Sequence, residues 1–116
     1  MKTFGRVVVA ARKAAGLKQK DVAERLRRVD GRKVMAPYLN DLEHDRRNPP
    51  ENAILDQLGK LLGVSVDILY FYARRLPGDM ARDFDYRAIE AAYRAFRETL
   101  STGRTGNEIK LDSHWE

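Results

Sequence analysis

Between Pro49-Pro50 and Gly63 the chain places Ile54, Leu55, Leu58, Leu61 and Leu62, apolar residues at i, i+1, i+4, i+7 and i+8. That spacing lines one face of an α-helix. The prolines ahead and the glycine behind confine the helix to about three turns, starting near Glu51. A stripe this wide must be covered by apolar faces of other helices, and the neighbouring segments supply them. Phe4, Val8 and Ala11 line a helix from about Thr3 to Ala15, stopped by Gly16. Val22, Ala23 and Leu26 line a second from Gln19 to about Arg28, with Lys20, Glu24, Arg25 and Arg27 outward. Leu39 and Leu42 line a third from about Ala36 to His44, where Pro37 is compatible only with the first turn. Ser65 reads as the N-cap of a fifth helix, with Asp67 in its first turn and Ile68, Leu69 and Tyr72 inward. The valines at 7 to 9 are poor helix formers, so tertiary packing must hold that turn.

These patterns predict an all-α fold, with five helices forming one domain over residues 1–77. Leu76-Pro77-Gly78-Asp79 marks the boundary. An extra amphipathic C-terminal helix, Tyr86 to Leu100, follows within a 78–100 extension and carries Ile89, Ala92, Tyr93, Phe96 and Leu100 on one side. That stripe needs a partner, either a second copy or the chain's own core. Residues 101–116 lose periodicity and carry Gly103 and Gly106, the pattern of a flexible tail.

Charge separates the two halves. Of the net +5, residues 1–50 hold thirteen Lys/Arg against six Asp/Glu, a balance of +7, while the remainder is near neutral at −2. A basic module with a neutral extension suits phosphate binding. Cysteine is absent, which excludes disulfides, thiolate zinc sites and cysteine nucleophiles and fits a reducing cytoplasm. The Val7–Ala11 run is too short for a membrane span and is broken by Arg12-Lys13, so neither a signal peptide nor membrane attachment is expected. His44 and His114 are the two histidines and lie far apart, so no metal site is expected. No nucleophile elbow, phosphate loop or dinucleotide fingerprint occurs. The expectation is a protein that is not an enzyme and needs no cofactor.

Several segments together resemble the phage-repressor-like (XRE, lambda-repressor-like) helix-turn-helix family. They are Phe4-Gly5, Arg12, Gly16-Leu17, Gln19, Val22-Ala23, Tyr38-Leu39, Leu42-Glu43, Arg46-Arg47-Asn48-Pro49 and Leu62-Gly63-Val64. The resemblance covers about residues 4 to 76. It implies that the third helix enters the major groove of double-stranded DNA while the second crosses the backbone. Arg46 and Arg47, with Asn48 after them, would meet phosphates, and so would Gln19 at the start of the second helix. Lys18 replaces the family's usual Thr or Ser cap, removing a side-chain cap worth about 1 kcal/mol but adding a cation near the DNA backbone. Arg12 and Glu43 occupy positions that pair as a partly buried ion pair in the family, a structural role. Asp45 occupies a position where the family commonly has glycine, which implies a left-handed conformation.

Base readout departs from the family. Met35, Ala36 and Pro37 open the third helix and offer no bidentate contact to a base. Ala36 and Pro37 can touch a thymine methyl. Asn40 or Asp41 can reach a base edge, Asp41 only as an acceptor from cytosine. Tyr38 divides between packing and a phosphate contact through its hydroxyl, and His44 is placed for a phosphate. The linker between the second and third helices is about six residues longer than in compact relatives and adds Arg32 and Lys33, either as a DNA-contacting element or as a tolerated insertion.

The resulting expectation is a prokaryotic, sequence-specific transcriptional regulator, in the manner of a repressor, that binds a palindromic operator as a homodimer. The alternative is an antitoxin-like or adaptor protein whose C-terminal helix grips a protein partner, with DNA binding serving autoregulation.

Overall fold

The computed structural model describes residues 2–80 and 82–103, and within them every regular element is helical. In order these are α1 (Phe4–Ala14), α2 (Gln19–Arg25), α3 (Ala36–Glu43), α4 (Asn52–Leu62), α5 (Val66–Tyr72), a 3₁₀ turn (Gly78–Met80) and α6 (Tyr86–Thr102). The chain divides into two units, one running to residue 81 and the other beginning at Arg82. The 3₁₀ turn therefore belongs to the first unit, which extends past Pro77.

In the first unit α3 packs against both α1 and α2, α4 packs on α5, and α5 reaches α1. Val7 and Val8 are both fully buried, which offsets their low helix propensity. The Thr3 hydroxyl accepts from the Arg6 N–H at the start of α1. At its end Gly16 adopts φ +72°, so the Gly16 and Leu17 N–H groups turn back onto the carbonyls of Lys13 and Arg12. Lys18 precedes α2 without a side-chain cap, but Asp21 reaches back to the Lys18 N–H at 3.1 Å and satisfies the other half of the cap.

Helix α2 stops at Arg25, three residues before the expected Arg28. Leu26 is already extended, with φ −97° and ψ 144°. The Gln57 side chain of α4 takes both backbone groups of Arg27, accepting from its N–H at 2.9 Å and donating to its carbonyl at 2.8 Å. That pairing suits an extended residue and competes with continuation of the helix. The chain then doubles back. Arg27 and Lys33 form an antiparallel bridge, the Arg28 N–H donates to the Arg32 carbonyl, and Gly31 turns at φ +85°. Leu26 and Val34 are buried at the two feet of this hairpin.

In α4 the expected stripe holds, with Leu61 only half-buried at its edge. Helix α5 corrects the expected register: Leu69 and Tyr70 are buried, while Ile68 and Tyr72 are half-buried. Tyr70 can enter the core because its hydroxyl donates to Asp56 Oδ1 at 3.0 Å. Burial first, and the Asp56 carboxylate second, push that hydroxyl above its usual pKa. Ser65 holds the N-cap position of α5 without a side-chain bond. Beyond α5, Arg75 clamps the Pro49-Pro50 turn by donating to the Pro49 carbonyl at 2.9 Å and to Asn52 Oδ1 at 3.2 Å.

The second unit is built on α6. Asp85 caps it by accepting from the Arg87 N–H at 3.1 Å, and Gly103 ends it at φ +67°. The helix runs two residues past Leu100, so Ser101 and Thr102 are helical rather than part of a tail. The rest of the expected tail, from residue 104, lies outside the described residues.

Candidate nucleic-acid interface

Two adjoining polar assemblies surround α3. The inner one begins with Glu43, which is 5% exposed. Arg12 grips its carboxylate with Nε at 2.6 Å and Nη2 at 3.0 Å, a two-point arrangement that joins α1 to α3. Gln19 Nε2 donates to Glu43 Oε1 at 2.8 Å and to Asn40 Oδ1 at 3.0 Å. A carboxylate only accepts, so it fixes which end of the Gln19 amide faces α3, and this in turn fixes Asn40. Asn40 thereby keeps its NH₂ free of Gln19. As a donor, that group matches the acceptors of guanine, adenine N7, thymine O4 or a phosphate, and does not match the cytosine amino group. Gln19 is thus placed to orient α3, and a phosphate contact by its amide nitrogen would displace one of these bonds.

The outer assembly runs from Tyr38, in the first turn of α3, to the residues that follow the helix. Tyr38 carries two guanidinium groups over its ring, Arg28 at 4.6 Å and Arg47 at 5.1 Å from the centroid. Asp41 accepts from Arg46 Nε at 3.1 Å and lies 3.6 Å from Arg47 Nε. Tyr38, Asp45, Arg46, Arg47 and Asn48 line an open concavity of about 480 Å³. Asp45 adopts φ +57°, the left-handed geometry implied for it, and its carboxylate accepts from the Gly5 N–H at 2.9 Å and from the Thr3 hydroxyl. His44 Nδ1 is 2.9 Å from the Asn40 carbonyl, so it carries the proton and donates.

Asp41 gathers the two arginines at one carboxylate, an anion that both guanidinium groups share. Solvent-exposed ion pairs of this kind are worth only about 0–1 kcal/mol, so exchanging Asp41 for a phosphate costs little. The same carboxylate leaves Asp41 engaged by cations and poorly placed to accept from cytosine.

The remaining expected residues are distributed around these assemblies. Lys18, Pro37, Arg46, Arg47 and Asn48 are exposed, and Ala36 is half-buried at the start of α3. Arg32 and Lys33 project from the hairpin, with the Arg32 side chain 83% exposed and 3.7 Å from Asp30. Sequence reading passes over Arg28, which ties the hairpin to Tyr38 through its guanidinium. Its position beside an Asp-Gly turn was the available signal. Among the described residues no cluster of His, Asp and Glu has the composition of a metal site, and no helix is long and apolar enough to cross a membrane. Searches against models of protein families, curated proteins and solved structures find no significant match.

Proposed function

We propose that the first unit is a lambda-repressor-like helix-turn-helix domain of a sequence-specific transcriptional regulator. In this reading α2 and α3 are the helix-turn-helix pair, with α3 in the major groove. The protein acts as a repressor on a palindromic operator, binding as a homodimer so that two short recognition helices share the work of specificity. The observation that carries the reading is the Tyr38 ring under the guanidinium groups of Arg28 and Arg47, beside Arg46 and Asn48 in one open concavity. Such a cluster neutralises phosphates and fixes α3 against the DNA backbone.

The test is selection of bound fragments from a random DNA library, then titration of the preferred sequence and a scrambled one at two salt concentrations. The expected result is a palindromic sequence preferred by about a thousandfold or more. Arg46→Ala with Arg47→Ala should weaken both DNAs alike and reduce the salt slope by roughly 0.9 for each phosphate that is no longer neutralised. Absence of binding at both salts would overturn the proposal.

The hairpin supplies long polar side chains that the start of α3 lacks. Replacing Arg32 and Lys33 with alanine should lower affinity about tenfold or more, read by the same titration. Unchanged affinity and preference would make the hairpin a tolerated insertion.

A second reading rests on α6, along which every residue is exposed and five large apolar side chains share one face. An antitoxin-like or adaptor protein would use this face to hold a different protein. A partner copurifying with the intact chain, and absent when residues 82–116 are removed, would favour it.

A further inference from the structure

On α6 the residues Tyr86, Ile89, Tyr93, Phe96 and Leu100 are spaced by three, four, three and four, the a and d positions of a heptad. Their exposures are 87%, 38%, 47%, 45% and 56%, so each keeps surface that a second helix can cover. We infer that α6 pairs with α6 of a second copy of this chain, and that the two helices run antiparallel.

The direction follows from charge and from side-chain size. In this register Glu90 and Arg97 fall at successive e positions, while Ala92 and Thr99 fall at g. Antiparallel helices bring e beside e and g beside g. Glu90 of each copy then meets Arg97 of the other, twice by symmetry, and the small Ala92 and Thr99 let the helices approach on the opposite side. The core layers place Tyr93 against Phe96 and Ile89 against Leu100. Tyr86 falls opposite Gly103, which has no side chain and has open space where a Cβ would stand. A parallel pair would instead set Asp85 against Glu90 at both edges, a like-charge contact that is unfavourable. Pairing would remove from water the apolar surface that these side chains still expose.

Glu90 also pairs with Arg94 on its own helix, at 3.0 Å and with both side chains about three-quarters exposed. That contact contributes little and is readily exchanged for Arg97 of a second copy.

The inference deepens the homodimer of the proposed function but rests on α6, so the two can fail separately. The test is sedimentation equilibrium on the full chain with Glu90→Arg, Arg97→Glu and the double variant. Each single variant should weaken self-association about tenfold or more. The double variant should restore it, and a mixture of the two single variants should form a heterodimer as tight as the unaltered pair. Arg97→Glu leaves the Glu90–Arg94 pair intact, so its effect reads the contact between helices. Circular dichroism checks that α6 stays helical.

A chain that remains monomeric, or a dimer indifferent to these reversals, would overturn the inference. The same outcome with salt-sensitive DNA binding retained would reject the α6 pairing alone. Loss of DNA binding with the predicted charge pattern intact would reject the regulator and keep the dimer.

Discussion

Arg12→Ala is expected to destabilise the first unit by about 3–5 kcal/mol, the cost typical of removing one partner from a buried ion pair. The Glu43 side chain is only 2% exposed, and Arg12 makes a two-point contact with it. Without Arg12 the carboxylate keeps the Gln19 amide as its partner and is left with no cation beside it. Arg12 also donates to the Leu17 carbonyl at 3.0 Å, so the turn after α1 is left short of a donor. A loss of this size is a large share of the roughly 5–15 kcal/mol that holds a domain together. Urea unfolding followed by circular dichroism should show a much lower midpoint with little change in slope. Replacing both residues, as in Arg12→Met with Glu43→Leu, should recover most of the loss, because no uncompensated charge is then buried. A small effect of Arg12→Ala alone would mean that water reaches Glu43.

The double replacement bears on function as well as stability. It removes the carboxylate that fixes the Gln19 amide and, through it, Asn40. Stability would return while the orientation of Asn40 would not. Sequence preference in the DNA titration should therefore relax even in a well-folded variant.

The parts of this fold that sequence makes legible are those set by local rules. The stripes of α1 and α4, the stop at Gly16 and the restriction imposed by Pro37 follow from spacing and backbone geometry, and the helices form there. The end of α2 is different. Nothing local to Arg27 reports that a glutamine thirty residues away will take both its backbone groups. Tyr70 is a similar case. Tyrosine occurs at 70 and 72, and the choice between them turns on Asp56, which gives the Tyr70 hydroxyl a partner at the edge of the core. In the candidate site, Arg46, Arg47 and Tyr38 follow from position after or within α3. The joining of Arg28 to Tyr38, and the capture of both arginines by Asp41, are contacts that exist only once hairpin and helix are in place.

Gly5→Ala should destabilise the same unit by about 1–3 kcal/mol, the cost of forcing an extra methyl into a packed contact. Gly5 lies inside α1, where alanine normally gains roughly 0.5–1 kcal/mol over glycine. Here the sign reverses. A Cβ at Gly5 would stand 2.5 Å from the Glu43 carbonyl oxygen, 2.6 Å from that of Leu42 and 2.7 Å from Asp45 Oδ1. Two of these atoms are backbone at the end of α3, so relief requires α1 and α3 to separate. Separation would stretch the Gly5 N–H bond to Asp45 and the contact between the Thr3 hydroxyl and Asp45, the groups that hold Asp45 in its left-handed turn. Arg46 and Arg47 follow that turn directly, so the damage should extend to DNA affinity at temperatures where the variant is still folded. Thermal unfolding and the DNA titration, run on one preparation, separate the two effects. A variant as stable as the parent would show that α1 can shift without loss. A variant that is less stable yet binds DNA unchanged would show that Asp45 does not position the two arginines.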